Sequence, residues 1–229
     1  MVKEVVKKIT AWSFSRLQDY RKCPFFAKCK HVDKLKEPGN EAMDRGSTIG
    51  KMAEDFILGR IKACPLEIAA FEEEFLELRK RKAVTEEQWA FNAAWEETGW
   101  FDNDAWCRIK TDIYSLDRKT NILLVADNKT GKIREEHLEQ LKLYALGGLM
   151  KFPTVDAVDV RLWYLDHGVE VPGIDDKPAI YPRSSIKSLQ AYWQKETKAM
   201  LADTRFAPKP SSNCRYCHFR KSNGGPCTY

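Results

Sequence analysis

No apolar run in these 229 residues approaches the roughly 18 needed to cross a bilayer, so no membrane-spanning segment is expected. The first ten residues, MVKEVVKKIT, are basic but contain neither a long apolar core nor a small-residue cleavage site, and no secretory leader is read from them. The expected location is the cytoplasm, or the host cytoplasm for a phage-encoded chain. Internal repeats and low-complexity linkers are missing too, which excludes a repeat architecture and leaves a single domain over residues 1–229. Acid is scarce at both ends. Residues 1–36 hold ten Lys/Arg against three Asp/Glu, and residues 205–229 hold five Lys/Arg and no acid. The ends contribute +7 and +5 to a net charge of +5, which leaves −7 for the centre. Solvated surface charge is one reading of this. The sharper one is a phosphate-binding surface made from the two ends, with an acidic pocket between them.

An odd number of cysteines, seven, and no leader argue against a disulfide framework. Cys29, Cys64 and Cys107 are scattered and read as buried small hydrophobes. Cys214, Cys217 and Cys227 crowd the C-terminus as CRYCHFRKSNGGPC.

What is present is a soluble globular composition, 43% hydrophobic and 31% charged. SFSRLQDYRKCPFFAKCKHV predicts a helix capped by Ser13 or Ser15 and interrupted at Pro24. AMDRGSTIGKMAEDFILGRIK is the next helix, with Glu54 inside it. Residues 66–97 read as helix-rich and strongly charged, with Trp and Phe residues that reach the core. AWCRIKTDIYSLD and NILLVADNKTG read as two strands joined by a polar turn at Asp117–Thr120. EEHLEQLKLYALGGLMK reads as an amphipathic helix, acidic at its start. VDVRLWYLDHGVEV gives a further strand pair about His167 and Gly168, and SSIKSLQAYWQKETKAMLAD a helix capped by Ser184 or Ser185. From Phe206 the tail is loop. The order suggests an α/β domain with a mixed sheet.

The hairpin carries the chemistry. With its turn near residues 119 and 120, facing positions sum to about 239 and Asp112 lies opposite Asp127, with Cβ atoms roughly 4.5–5.5 Å apart. Two carboxylates there repel unless a positive charge intervenes. Strand alternation puts Lys129 on the face of Asp127, and the Asn128 carbonyl can turn inward. Hard divalent cations such as Mg²⁺ take oxygen ligands of this kind. A surface ion pair within D-x-K is the plainer alternative.

Asp112, followed by ADNKTGK and EQLKLYALG, resembles the PD-(D/E)xK nuclease superfamily, most closely its RecB-like branch with D-x-K-T-G and a following Q-x-x-x-Y. These are Asp127, Lys129, Thr130, Gly131, Gln140 and Tyr144 here. The resemblance extends to WSFSRLQDYRKCPFFAK and to the C-terminal cysteines. One Cys before the core and three after it is similar to iron–sulfur nucleases of the AddB and CRISPR-associated types. Two departures stand out. RGSTIGKMAE keeps Glu54 but has Gly50 where the family often has His, and Lys110 and Thr111 stand before Asp112 where the eponymous Pro would be.

The resemblance implies a restriction-endonuclease-like mixed sheet flanked by helices and hydrolysis of DNA phosphodiesters, expected to be exonucleolytic, with Mg²⁺ or Mn²⁺. Glu54, Asp112, Asp127 and the Asn128 carbonyl would hold the metal. Lys129 would orient the attacking water or stabilise developing charge, and Gln140 and Tyr144 would support Lys129 or the DNA backbone. It also implies a [4Fe–4S] cluster on Cys23, Cys214, Cys217 and Cys227, with Zn²⁺ as the alternative and Cys29 or His218 as rival fourth ligands. Such a structural staple would join residues 1–36 to 205–229 and bring the basic ends together, with Arg21, Lys22, Arg215, Arg220 and Lys221 bordering the DNA. A homo-oligomer and a recombination or helicase partner are both compatible with this reading. Two other functions remain: an inactive nuclease fold that grips DNA, favoured by Gly50, and a redox or radical enzyme, disfavoured by the lack of a tight three-Cys motif.

Overall fold

The computed structural model describes residues 8–171 and 179–229; the basic residues expected before Lys8 lie outside them. Ser13 opens helix α1 (Phe14–Lys22), its hydroxyl accepting the Arg16 N–H at 3.4 Å. Of the two serines expected to cap this helix, Ser13 does so. Pro24 then starts a short helix, α2 (Pro24–Ala27), at the first position, where its missing N–H leaves no bond unmade. Asn40 caps α3 (Glu41–Ile57), whose buried residues Ile49, Ala53, Phe56 and Ile57 fall on one face. Helix α4 (Glu72–Lys80) has three glutamates in its first turn and Arg79 and Lys80 in its last, which matches the helix dipole.

Residues 66–97 are not helix-rich throughout. Beyond residue 83 the chain forms strands β1 (Val84–Phe91) and β2 (Glu97–Thr98). Glu86, Glu87 and Gln88 are good helix formers, and the buried residues of β1 are confined to its end, so no alternation shows in the sequence. Pairing with β3 (Cys107–Asp117) decides the conformation.

The sheet order is β2-β1-β3-β4-β5-β6, with β4 (Ile122–Lys129), β5 (Ala157–Tyr164) and β6 (Val169–Val171); β7 (Ala179–Pro182) also pairs with β5. All pairs are antiparallel except β4–β5, which is parallel and crosses over through α5 (Glu135–Lys151). In the β3–β4 hairpin Ile113 faces Ala126 and Asp117 faces Ile122, so partners sum to the expected 239.

The sheet is covered on both faces. Helices α5 and α6 (Ile186–Ala202) pack on Trp89, Ile109, Leu123, Val125 and Leu162. On the other face α3 and α4 pack on Ile113, Ala126 and Trp163. Helix α5 is not the amphipathic surface helix expected. From Leu143 to Leu149 every residue is buried, because the sheet lies on one side and α6 on the other. Gly147 and Gly148 permit this approach: a Cβ on Gly147 would meet Ile109 Cδ1 at 2.6 Å, and one on Gly148 would meet Leu123 Cδ2 at 2.9 Å. Ser185 occupies the α6 cap position, but its side chain makes no capping bond.

The chain ends meet. Phe26 packs against Phe219 with centroids 5.1 Å apart and ring planes tilted by 52°, and Cys29 is buried with them. No described helix is long and apolar enough to cross a membrane.

Candidate active site

The β3–β4 ladder stops at Ile113–Ala126. One position further, Asp112 turns its Oδ2 onto the Asn128 N–H at 2.9 Å, in place of the next backbone bond. Asp127, Lys129, Gln140 and Tyr144 form a closed ring. The Lys129 ammonium lies 2.5 Å from Asp127 Oδ2 and donates to Gln140 Oε1 at 3.2 Å. Gln140 Nε2 donates to the Tyr144 hydroxyl at 2.7 Å, and that hydroxyl donates to Asp127 Oδ1 at 2.5 Å. The four-residue spacing on α5 stacks Gln140 and Tyr144 one turn apart, so they meet two residues of alternate strand positions on β4.

The electrostatics are those of a crowded anionic site. Burial raises the Asp112 carboxyl first, and the Asp127 charge adds to it, so that it is pushed up to about 7. Burial alone would lower the Lys129 ammonium; the Asp127 carboxylate outweighs it and holds the amine charged. Burial, then Asp127 and Asp112, push the Tyr144 phenol far up, so it stays a donor. One ammonium serves two crowded carboxylates, Asp127 buried and Asp112 partly so, a situation a divalent cation relieves. The buried Asn128 Oδ1 has no hydrogen-bond partner, and Asp127 Oδ2 meets only the lysine among the described residues. The donor set therefore suits a hard cation.

Glu54, on α3, is the carboxylate expected to join them. It lines the same cavity, of about 1140 Å³, as Asp112, Asn128 and Lys129. Its oxygens, however, are paired with Lys51 and Arg60, each at 2.9 Å. Among the described residues no three His, Cys, Asp or Glu side chains are gathered to hold a metal. After burial and Asp127, Glu86 adds a smaller charge effect that also raises Asp112, and it pairs with Lys110. Glu86 has φ +59 inside β1, a left-handed conformation unusual for a strand. A Cβ on Gly50 would meet nothing within 4 Å, so the position where the family carries His is open space on this cavity.

Asp166, Arg45 and His167 also escaped the sequence reading. Asp166 Oδ2 accepts the Gly131 N–H at 2.7 Å and the Arg45 guanidinium at 2.8 Å, and the Gly131 carbonyl is bonded by His167 Nε2 at 2.8 Å. They pin the loop that follows Lys129. Nothing in LDHG marks it beforehand as more than a turn.

Cys23, Cys214, Cys217 and Cys227 line one cavity of about 30 Å³, while Cys29 and His218 do not line it. Backbone N–H groups of Lys209 and Ser211 point at the sulfurs of Cys23 and Cys214, each at 3.3 Å. Four thiols from both ends of the described chain thus line one cavity, and among the described residues they form no metal-holding group. Of the expected DNA contacts, Lys22, Arg215 and Lys221 are exposed and Arg220 is half-buried. Arg21 is committed elsewhere: it pairs with Glu139 and Glu196, both at 2.5 Å, and joins α1 to α5 and α6.

A covered mixed sheet whose central hairpin ends in Asp and Asp-x-Lys is the arrangement of a nuclease. The model of the PD-(D/E)XK nuclease superfamily matches residues 11–111 and 110–222, and the chain belongs to that superfamily. A search of curated proteins finds no match. Among solved structures the chain is similar to SSO0001, at 15% identity over 95% of this chain and 87% of that one, with a TM-score of 0.44. It is also similar to a candidate exonuclease from Eubacterium rectale, at 11% identity over 91% of this chain and 87% of that one, with a TM-score of 0.51. At that identity the second likeness speaks for the fold.

Proposed function

We propose that this protein is a divalent-metal-dependent deoxyribonuclease of the RecB-like kind, acting from DNA ends. The closed ring of Asp127, Lys129, Gln140 and Tyr144 beside Asp112 carries the reading. A structural ion pair would need only Asp127 and Lys129. The two further donors and the second, partly buried carboxylate stabilise nothing that an apolar core could not.

Asp112, Asp127 and the Asn128 carbonyl would hold Mg²⁺ or Mn²⁺, and Glu54 joins them only after leaving Lys51 and Arg60. When bound, such an ion neutralises phosphoryl charge and makes water a better nucleophile. Lys129, kept charged by Asp127, faces developing charge on the phosphoryl oxygens and hydrogen-bonds the attacking water. Gln140 orients the ammonium, and Tyr144 fixes the second oxygen of Asp127. Cys23, Cys214, Cys217 and Cys227 would hold a [4Fe–4S] cluster, or Zn²⁺, as a structural staple between the chain ends. The DNA-facing set is then Lys22, Arg215, Arg220 and Lys221, without Arg21.

The second reading, an inactive DNA-binding fold, is favoured by Gly50 and by the ion-paired Glu54. Incubating linear and circular single strands with Mg²⁺ or Mn²⁺ decides between them. Loss of the linear strand alone is expected. Intact linear DNA with metal present supports the inactive fold, and cleavage of circles rules out strict end dependence.

A further inference from the structure

A second cavity, of about 660 Å³, adjoins the ring and shares Lys129, Gln140 and Tyr144 with it. Its other walls come from the start of α1, the loop between β2 and β3, the neighbouring part of β3, and α5, whose Glu136 there is paired with Arg134. Arg16 of α1 and Arg108 of β3 meet there. Burial, and then the nearby Arg108 charge, hold the Arg16 guanidinium below its ordinary value. Like charges held together in a protein ordinarily have a counter-ion. Arg21, Arg45, Arg60 and Arg161 each pair with a carboxylate. Among the described residues Arg16 and Arg108 do not: Arg16 Nη1 donates to the Ala11 carbonyl at 2.7 Å, and Arg108 Nε is buried with no partner at all. The N-terminus of the nine-residue α1, with no acid in its first turn, adds its positive end and the Ser13 hydroxyl. An anion is the missing component.

The opposite wall supplies aromatic faces. Phe101 is 86% exposed, and Trp100 lies with its ring 5.7 Å from the Arg108 guanidinium. They sit on a pinned turn, since Asp102 Oδ2 accepts the Gly99 N–H at 2.8 Å and the Thr98 hydroxyl at 3.1 Å. A Cβ on Gly99 would meet that carboxylate at 2.7 Å, so the turn holds the Asp102 side chain close against residue 99. A large exposed ring on a rigid turn, beside an unsatisfied cationic pair, is suited to a flexible polyanion with planar groups.

We propose that this cavity is a subsite for single-stranded DNA, in which Arg16 and Arg108 hold a backbone phosphate flanking the scissile one and Phe101, with Trp100, stacks an unpaired base. The proposal rests on the nuclease reading for the position of the scissile phosphate, at Lys129. Bases in a duplex already stack on each other and cannot offer a face to Phe101, so the subsite selects single strands.

The test is binding of fluorescein-labelled oligothymidylate of about 15 nucleotides, an abasic strand of equal length and a blunt duplex, by anisotropy in EDTA, where no cleavage intervenes. Phe101→Ala, at an exposed position, is expected to weaken oligothymidylate binding about tenfold while leaving the duplex and abasic strands within about twofold. Arg16→Gln is expected to weaken oligothymidylate and abasic strands alike and to lower the salt slope by about one. No binding of oligothymidylate by the wild type, equal wild-type affinity for the abasic strand, or an equal loss on the duplex in Phe101→Ala would each overturn the subsite. Failure of the nuclease reading looks different: this binding pattern persists and Mg²⁺ or Mn²⁺ produces no cleavage.

Discussion

The Tyr144 hydroxyl donates to Asp127 Oδ1 at 2.5 Å, which ties the middle of α5 to the end of β4 at the point where the hairpin ladder gives out. Tyr144 is buried, and its phenol is held protonated by burial and by both aspartates. It is a positioning residue for Asp127. Tyr144→Phe keeps the ring and removes only the donor. The expected result is a fall in kcat of about 10- to 100-fold, the range for lost outer-shell partners, with KM for DNA little changed. Equal losses in kcat and in DNA affinity would point to a substrate contact instead.

Asp112 should make the metal-free protein less stable as pH rises. Its carboxyl is raised from 3.8 to about 7 in the fold, so the folded state holds a proton that the unfolded state has released. The stability it contributes is complete below about pH 4 and is lost as pH climbs through about 7. Asp112→Asn removes this titration. In EDTA the variant should melt above the wild type at pH 8 and converge with it at pH 4. A constant difference across that range would contradict the raised Asp112 carboxyl.

Gly50→His tests the missing imidazole. The position sits in the middle of α3, lines the metal-side cavity and has open space where a side chain would start. The substitution should fold and gain up to about 0.5 kcal/mol from replacing a helical glycine. Mn²⁺ binding by calorimetry should tighten, because imidazole suits transition metals. Unchanged affinity in a folded variant would show that the Gly50 face is not directed at the metal.

For the cysteines, Cys23→Ala should lower the melting temperature as much as Cys217→Ala, although 193 intervening residues separate them, since both line one cavity. Cys64→Ala, away from it, should cost on the order of 1 kcal/mol. Removing iron or zinc should destabilise the wild type, because metal-binding energy becomes folding energy. Full metal content and melting temperature in Cys23→Ala would break the staple and leave the meeting of the basic ends to Phe26 and Phe219 alone.

The hairpin was readable from sequence because its signals are local. An apolar run ending in D-x-K-T-G, a short polar turn and strand alternation together set the register that pairs Ile113 with Ala126 and Asp117 with Ile122. The α5 boundaries were readable for the same reason. Strand β1 was not, since its EEQ stretch favours helix and only pairing with β3 overrides that. Glu54 could be placed on its helix, yet no pattern shows that Lys51 and Arg60 would occupy its oxygens. Asp166, Glu86 and the Arg16–Arg108 pair come together only through the sheet order, which no spacing encodes.

The most direct measurement is single-turnover digestion of an end-labelled strand with saturating Mn²⁺ by wild type, Asp127→Asn and Lys129→Ala, alongside their melting temperatures. Metal-dependent cleavage by the wild type is predicted, with both variants folded and slower by at least about 10²- to 10³-fold. Wild-type rates in both folded, metal-loaded variants would contradict the assignment of this site as the nuclease centre.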